Sequence, residues 1–169
     1  MNIILIGMPA SGKSCMGRSL AKAFKKKNVD SDKLIEEKTG RKLQEIISSD
    51  GIETFKRIEE EVLCLINDDN LVISTGGSAV YSERAMEHLG RIGIIVYLHA
   101  SLETIVDRLG DFSKRGVVLA EGQTIADLYS ERCALYEKYA NVTVSCDGNN
   151  YNKSLERAIK TIKMCIARK

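Results

Sequence analysis

The stretch Gly7-Met8-Pro9-Ala10-Ser11-Gly12-Lys13-Ser14 constrains this chain more than any other. It satisfies G-x-x-x-x-G-K-[ST] at each defined position. It also sits between a short apolar run, Ile3-Ile4-Leu5-Ile6, and a helical pattern over 15–27. That order has a physical reason. A buried strand delivers the backbone to a turn whose glycines let N–H groups curl around an anion. The next helix then aims its positive end at the same point. The pattern predicts a bound nucleoside triphosphate, with Lys13 on the β- and γ-phosphates and the Ser14 hydroxyl on Mg²⁺. Gly7, Ala10, Ser11, Gly12, Lys13, Ser14 and Cys15 form the expected cradle.

Composition narrows the class. A chain of 169 residues is long enough for one domain with a core of its own, here expected over 1–169. A net charge of +2, with the cations scattered, gives no sign of a polyanion such as nucleic acid as partner. The densest run, Lys25-Lys26-Lys27, is expected to complement a helix dipole. Five cysteines without C-x-x-C spacing point to reduced thiols rather than disulfides or zinc. No apolar run approaches the ~18 residues of a membrane span, and no charged leader precedes the first one. A cytoplasmic monomer, free of membrane, is expected.

Along the chain, helical and strand patterns alternate. A short second strand, Asn28-Val29-Asp30, ends in carboxylates; helices follow over 33–38, 42–48 and 52–66. Apolar strands are expected over 71–75 and 92–98, and another strand over 142–145. Further helices fall over 82–89, 102–109, 124–140 and 151–167. Strands alternating with helices mean a parallel sheet covered on both faces. The stretch 110–122 lacks periodicity, carries Lys114 and Arg115, and is expected to be a mobile lid.

A phosphate loop alone does not define a reaction. The N-K-x-D guanine box is absent, which argues against a GTPase. Asp30 and Asp32 fall at the carboxyl end of the second strand, on the rim where open α/β sheets bind ligands. One could order Mg²⁺ through water and the other accept a proton from an acceptor hydroxyl. Asp32 could equally cap the helix that follows. Gly76-Gly77 marks a second close approach of backbone. Cys15, with apolar neighbours Met16 and Leu20, is expected to pack. Arg132, read by itself, could be an anion clamp or a surface helix charge, and the sequence favours the surface.

In their order, these residues resemble the shikimate kinase family of P-loop small-molecule kinases. The resemblance runs through Gly7 to Ser14, Asp30-x-Asp32, Gly51-x-x-x-Phe55 with Glu59, Ser74-Thr75-Gly76-Gly77, Arg115, and Glu131-Arg132-x-x-Leu135-Tyr136. It implies an α/β, P-loop NTPase-type three-layer sandwich with a five-stranded parallel sheet. The lid would fall at about 110–122 and the acceptor-binding region at about 31–62. It implies ATP-dependent phosphorylation of a hydroxyl on shikimate, a small acceptor carrying carboxylate and hydroxyl groups. Lys13, Asp32 and Arg115 would be catalytic, with Asp32 taking the proton. Ser14 and Asp30 would order Mg²⁺, and Arg108 would pack over adenine. Asp32, Lys56, Gly76, Gly77 and Arg132 would bind the acceptor, Arg132 through its carboxylate.

Three positions depart from the family pattern. Lys56 stands where an arginine is usual, which keeps the charge but loses the bidentate fork. Ser78 replaces a third glycine, and Gly116 replaces the proline after the lid arginine. Two of the departures fall on the acceptor side. Homoserine as acceptor, or a regulatory module that binds nucleotide without transfer, are the alternative readings.

Overall fold

The computed structural model describes residues 1–110, 119, 122–148 and 150–168. Its strands are β1 (Asn2–Ile6), β2 (Lys27–Asp30), β3 (Leu71–Ser74), β4 (Gly93–His99) and β5 (Val142–Ser145). They form one sheet, parallel throughout, in the spatial order β2-β3-β1-β4-β5. The helices are α1 (Lys13–Ala23), α2 (Ser31–Thr39), α3 (Leu43–Asp50), α4 (Ile52–Cys64), α5 (Glu83–Ile92), α6 (Leu102–Leu109), α7 (Ile125–Tyr139) and α8 (Tyr151–Ile166).

The layers follow from side-chain alternation along the central strands. Ile4 and Ile6 of β1, with Ile95 and Tyr97 of β4, face α5, α6 and α7. Ile3 and Leu5, with Ile94, Val96 and Leu98, face α1 and α8. Both faces are covered, so these strands read as unbroken apolar runs. Each fully buried aliphatic side chain contributes roughly 1.5–3 kcal/mol. This is the three-layer α/β sandwich.

A third, smaller cluster of Ile35, Ile46, Phe55 and Val62 packs α2, α3 and α4 against one another. It coincides with the stretch expected to serve the acceptor. The short strand β2 is an edge strand, paired in register with β3 from Lys27↔Leu71 to Asp30↔Ser74. Its last residue therefore lies beside the end of β3.

β3 and β4 flank β1 on opposite sides, so a crevice opens at the carboxyl ends of these strands. Side chains pin that rim. Thr75 N and Oγ1 both donate to Leu5 O, at 3.1 and 3.0 Å, and Ser74 Oγ donates to Lys13 O at 3.2 Å.

The lysine run behaves differently from expectation. α1 ends at Ala23, ahead of the run, because the chain must turn into β2. Lys26 Nζ instead donates to Met1 O and Asn70 Oδ1, and Lys27 opens the strand. Among the described residues no helix is long and apolar enough to cross a membrane. The expected lid, with Lys114 and Arg115, falls for the most part outside the described residues, Arg115 entirely so.

Candidate active site

The phosphate loop is shaped by close approach. A Cβ on Gly7 would lie 2.6 Å from Leu98 O of β4, so a larger residue has no room there. Ala10 sits at φ 62, a left-handed conformation that costs a residue with a Cβ roughly 1–2 kcal/mol. The turn it makes carries the chain into α1. That helix begins at Gly12 with no side-chain cap and no acidic residue in its first turn. Its leading N–H groups are thus left for an anion.

Lys13 is 8% exposed, and its Nζ donates at 2.8 Å to both Gly7 O and Met8 O. Burial pushes this ammonium down to about 8, against the pull of Asp32 and Asp30. A phosphate tail would supply the missing countercharge. Ser11 Oγ is buried in the same loop and has no hydrogen-bond partner among the described residues. An orphaned hydroxyl inside an uncapped cradle fits a phosphate ligand.

The two aspartates are bonded differently. Asp30 Oδ2 accepts from Ser14 Oγ at 2.8 Å, and Asp30 Oδ1 accepts from Asp32 N at 3.1 Å. Asp30, and not Asp32, is therefore the cap of α2. The helix starts at Ser31, two residues earlier than the apolar pattern suggests, and this frees the Asp32 carboxyl to line the cleft. Burial first, and then the charge of Asp30, hold Asp32 above the usual carboxylate range. Both effects make it a better proton acceptor.

The cleft encloses about 400 Å³ between the phosphate loop, α2–α4, the β3 turn and α7. Lys13, Asp32, Gly76, Gly77, Ser78 and Arg132 all line it. Arg132 is not a surface charge: it is 8% exposed. Its guanidinium lies 5.3 Å from the Tyr81 ring centre and its Nε donates to Tyr81 OH at 3.3 Å. Tyr136 OH donates to Gly77 O at 2.7 Å and so fixes the turn in front of α7.

Gly76 is glycine for a reason the sequence hides. A Cβ there would stand 2.2 Å from Glu59 Oε1 and 3.2 Å from Asp32 Oδ1. Glu59 is 2% exposed on α4, and Ser78 Oγ donates to its Oε2 at 2.5 Å. Ser78 therefore turns its hydroxyl onto Glu59 rather than leaving it free over the cleft. Glu59 Oε1 is buried with no partner among the described residues. Burial pushes the carboxyl up to about 7, and the charge of Asp32 acts in the same direction. The Ser78 hydrogen bond and the Arg132 and Lys13 charges oppose it.

Lys56 is not brought into this cleft. Its Nζ pairs with Glu53 Oε1 at 2.9 Å and stands 5.1 Å from the Tyr81 ring centre. It lines a neighbouring pocket of about 260 Å³ that shares Ser78 with the cleft. Arg57 lines the same pocket and is exposed.

On the far side of the loop a third pocket, about 360 Å³, is bounded by Gly12, Cys15, Arg108, Cys146 and Tyr151. Arg108 Nη2 donates to Cys146 O at 2.8 Å, which holds the guanidinium along the pocket wall. Cys15 is exposed, not packed, because it lies on the outward face of α1's first turn. Tyr151 has no counterpart among the residues the sequence singles out, since a tyrosine opening the last helix carries no motif. Its hydroxyl donates to Cys15 O at 3.2 Å and pairs with Ser19 Oγ at 2.8 Å, closing that pocket.

A parallel sheet with a phosphate loop after β1, a base-sized pocket on one side and a charged cleft on the other defines a P-loop kinase of small molecules. The model of the family "Shikimate kinase" matches residues 9–163. A shikimate kinase of Sulfurihydrogenibium sp. is 34% identical over 163 residues, which is 96% of this chain and 98% of that protein. Among solved structures, shikimate kinase from Acinetobacter baumannii in complex with shikimate superposes with TM-score 0.85 at 32% identity. That match covers 99% of this chain and 94% of the other. Shikimate kinase from Aquifex aeolicus gives TM-score 0.84 at 27% identity, covering 96% of each. The chain belongs to the shikimate kinase family and is an ATP-dependent kinase.

Proposed function

We propose that this kinase transfers the γ-phosphoryl group of ATP to a hydroxyl of shikimate, giving shikimate 3-phosphate. One observation carries the reading beyond family membership: Lys13, Asp32 and Arg132, from three separate elements, line a single cleft. The Gly7–Ser14 cradle holds the triphosphate, and Arg108 and Tyr151 border the space for the base. Arg132 pairs with the acceptor carboxylate, and the Gly76-Gly77 backbone forms the floor beneath the ring. Asp32 accepts the proton of the attacking hydroxyl as the new P–O bond forms. Lys13 gives up its loop carbonyls to follow the charge that moves onto the phosphates.

The Ser14 hydroxyl and the Asp30 carboxylate are hard oxygen donors 2.8 Å apart, a set that suits Mg²⁺, and these residues would hold it. When bound, the ion would neutralise charge on the β- and γ-phosphates. Arg115 would belong to a lid over about 110–122, and α2–α4 would form the acceptor region within a single domain. Free cysteines suit a reducing compartment such as the cytoplasm, and a net charge of +2 gives no reason to expect nucleic acid; a monomer is the form proposed.

ADP release measured with shikimate, homoserine and gluconate tests the reading. Shikimate is expected to give the highest kcat/KM. Preference for homoserine would reassign the acceptor, and no ADP with any of the three would leave only a nucleotide-binding module.

A further inference from the structure

Among the described residues Glu59 is the one buried carboxyl at this site to which the mechanism gives no task. It is enclosed by five elements. Asp32 faces it from α2, Lys13 from the start of α1 and Arg132 from α7. Ser78 bonds to it from the turn after β3, and Tyr81 stands across the pocket they share. On α4 itself its neighbours in that pocket are Glu53, Lys56, Arg57 and Glu60. None of the cations forms an ion pair with it. Lys56 is committed to Glu53, and Arg132 to Tyr81. Among the described residues its two oxygens have one partner between them, the Ser78 hydroxyl, while Oε1 lies unpartnered beneath Gly76.

A carboxylate buried this far with a single hydroxyl for company is expensive, whereas a carboxylic acid in the same place is not. We propose that Glu59 is a positioning residue held as the uncharged acid beneath the acceptor floor, where its ionisation lowers affinity for an anionic acceptor without touching the nucleotide. The inference rests on the kinase reading above, in which Arg132 attracts the acceptor carboxylate. When Glu59 releases its proton to solvent, a negative charge appears beside Asp32 and faces Arg132. It offsets the pull of Arg132 and repels the acceptor anion. Lys56 and Ser78 belong to the same device. The lysine, turned away to Glu53, leaves Glu59 uncompensated, and the serine supplies the one hydrogen bond left.

Two measurements on the full chain test this. The first is carbon NMR of the protein labelled at the glutamate carboxyl carbons. One resonance is expected to titrate near pH 7 and to vanish in Glu59→Gln. In Ser78→Ala it moves to higher pH, because the hydrogen bond that favours the charged form is gone. If Glu59 titrates in the ordinary glutamate range, the inference is overturned whatever the enzyme's acceptor is. The second is the pH dependence of the acceptor KM in the ADP assay. The KM for shikimate is expected to rise about tenfold from pH 6 to pH 8.5 in wild type, with a flat profile in Glu59→Gln. Wild-type turnover with an equal pH profile in both proteins would sink the inference and leave the kinase reading intact. Absence of ADP at every pH would sink the kinase reading instead.

Discussion

The nucleotide half and the acceptor half of this site are built on opposite plans. The nucleotide half is one contiguous loop whose work is done by backbone: a strained Ala10, a glycine pressed on Leu98 O, and an uncapped helix start. The acceptor half gathers side chains from α1, α2, α4, α7 and the β3 turn, and half-neutralised charges dominate it. Backbone cannot be changed by point substitution at most positions, so the first half has little room for variation. The second can vary by exchanging one side-chain pairing for another. The Lys56–Glu53 and Ser78–Glu59 contacts are such exchanges.

If the division is real, substitutions on the acceptor side should leave nucleotide binding alone. The largest effect is expected at Asp32. Asp32→Asn removes the proposed proton acceptor but not its place in the cleft, so kcat should fall by about 10³-fold. ATP affinity, read by calorimetry on the same variant, should stay where it is. A variant that lost both together would tie Asp32 to the phosphates and break the division.

Gly76→Ala comes next. Its Cβ would meet Glu59 Oε1 at 2.2 Å, and Glu59 cannot retreat because Ser78 and the α4 packing hold it. Overpacking of this kind costs about 1–3 kcal/mol. In a chain this size that lowers the melting midpoint by roughly 2–4 °C per kcal/mol, readable by calorimetric scan. The acceptor KM should rise in step. Combining the change with Glu59→Ala, which clears the space, should restore part of the lost stability. A loss that Glu59→Ala did not relieve would point to the backbone, not to this contact.

Arg132→Lys should act on acceptor binding without lowering stability as Gly76→Ala does. The lysine keeps the charge but loses the planar fork and its stacking on Tyr81. Loss of a charged hydrogen bond is worth about 1.5–3 kcal/mol, so the shikimate KM should rise roughly tenfold to a hundredfold. The ATP KM is the internal control and should not move.

The same division governs what can be seen in the residues alone. The strands and helices are legible because both faces of the sheet are buried, and burial writes itself as apolar runs. The loop is legible because its function needs a fixed local spacing. Arg132 is misjudged when read by itself, since its burial depends on Tyr81, which lies 51 residues away in sequence. The cap of α2 is misplaced in the residues alone: Asp32 reads as a cap, but Asp30, the last residue of β2, accepts from Asp32 N and takes that place. Family resemblance puts Lys56 in the cleft. Its i,i+3 neighbour Glu53 draws it out, a local pairing visible in the sequence but outweighed there by the family pattern. Tyr151 has no motif to announce it.

The last expected effect separates a buried acid from a surface one through stability and leaves turnover aside. The Glu59 pKa is raised in the folded chain from 4.5 to about 7, so between those values the folded state binds more proton than the unfolded one. Stability is then fully present below pH 4.5, falls as pH rises toward 7, and levels off above it. A pKa displaced by one pH unit corresponds to about 1.4 kcal/mol, so the total is at most a few kcal/mol for a group this deeply buried. Glu59→Gln carries no such ionisation. Its melting midpoint relative to wild type should therefore climb by several degrees between pH 4.5 and pH 8. The comparison is made in the absence of nucleotide, because Lys13 also titrates, at about 8, and a bound triphosphate would move it. Parallel melting curves for the two proteins across that range would mean that Glu59 is charged throughout. The acceptor half would then have to hide a cation for it that the folded contacts do not supply.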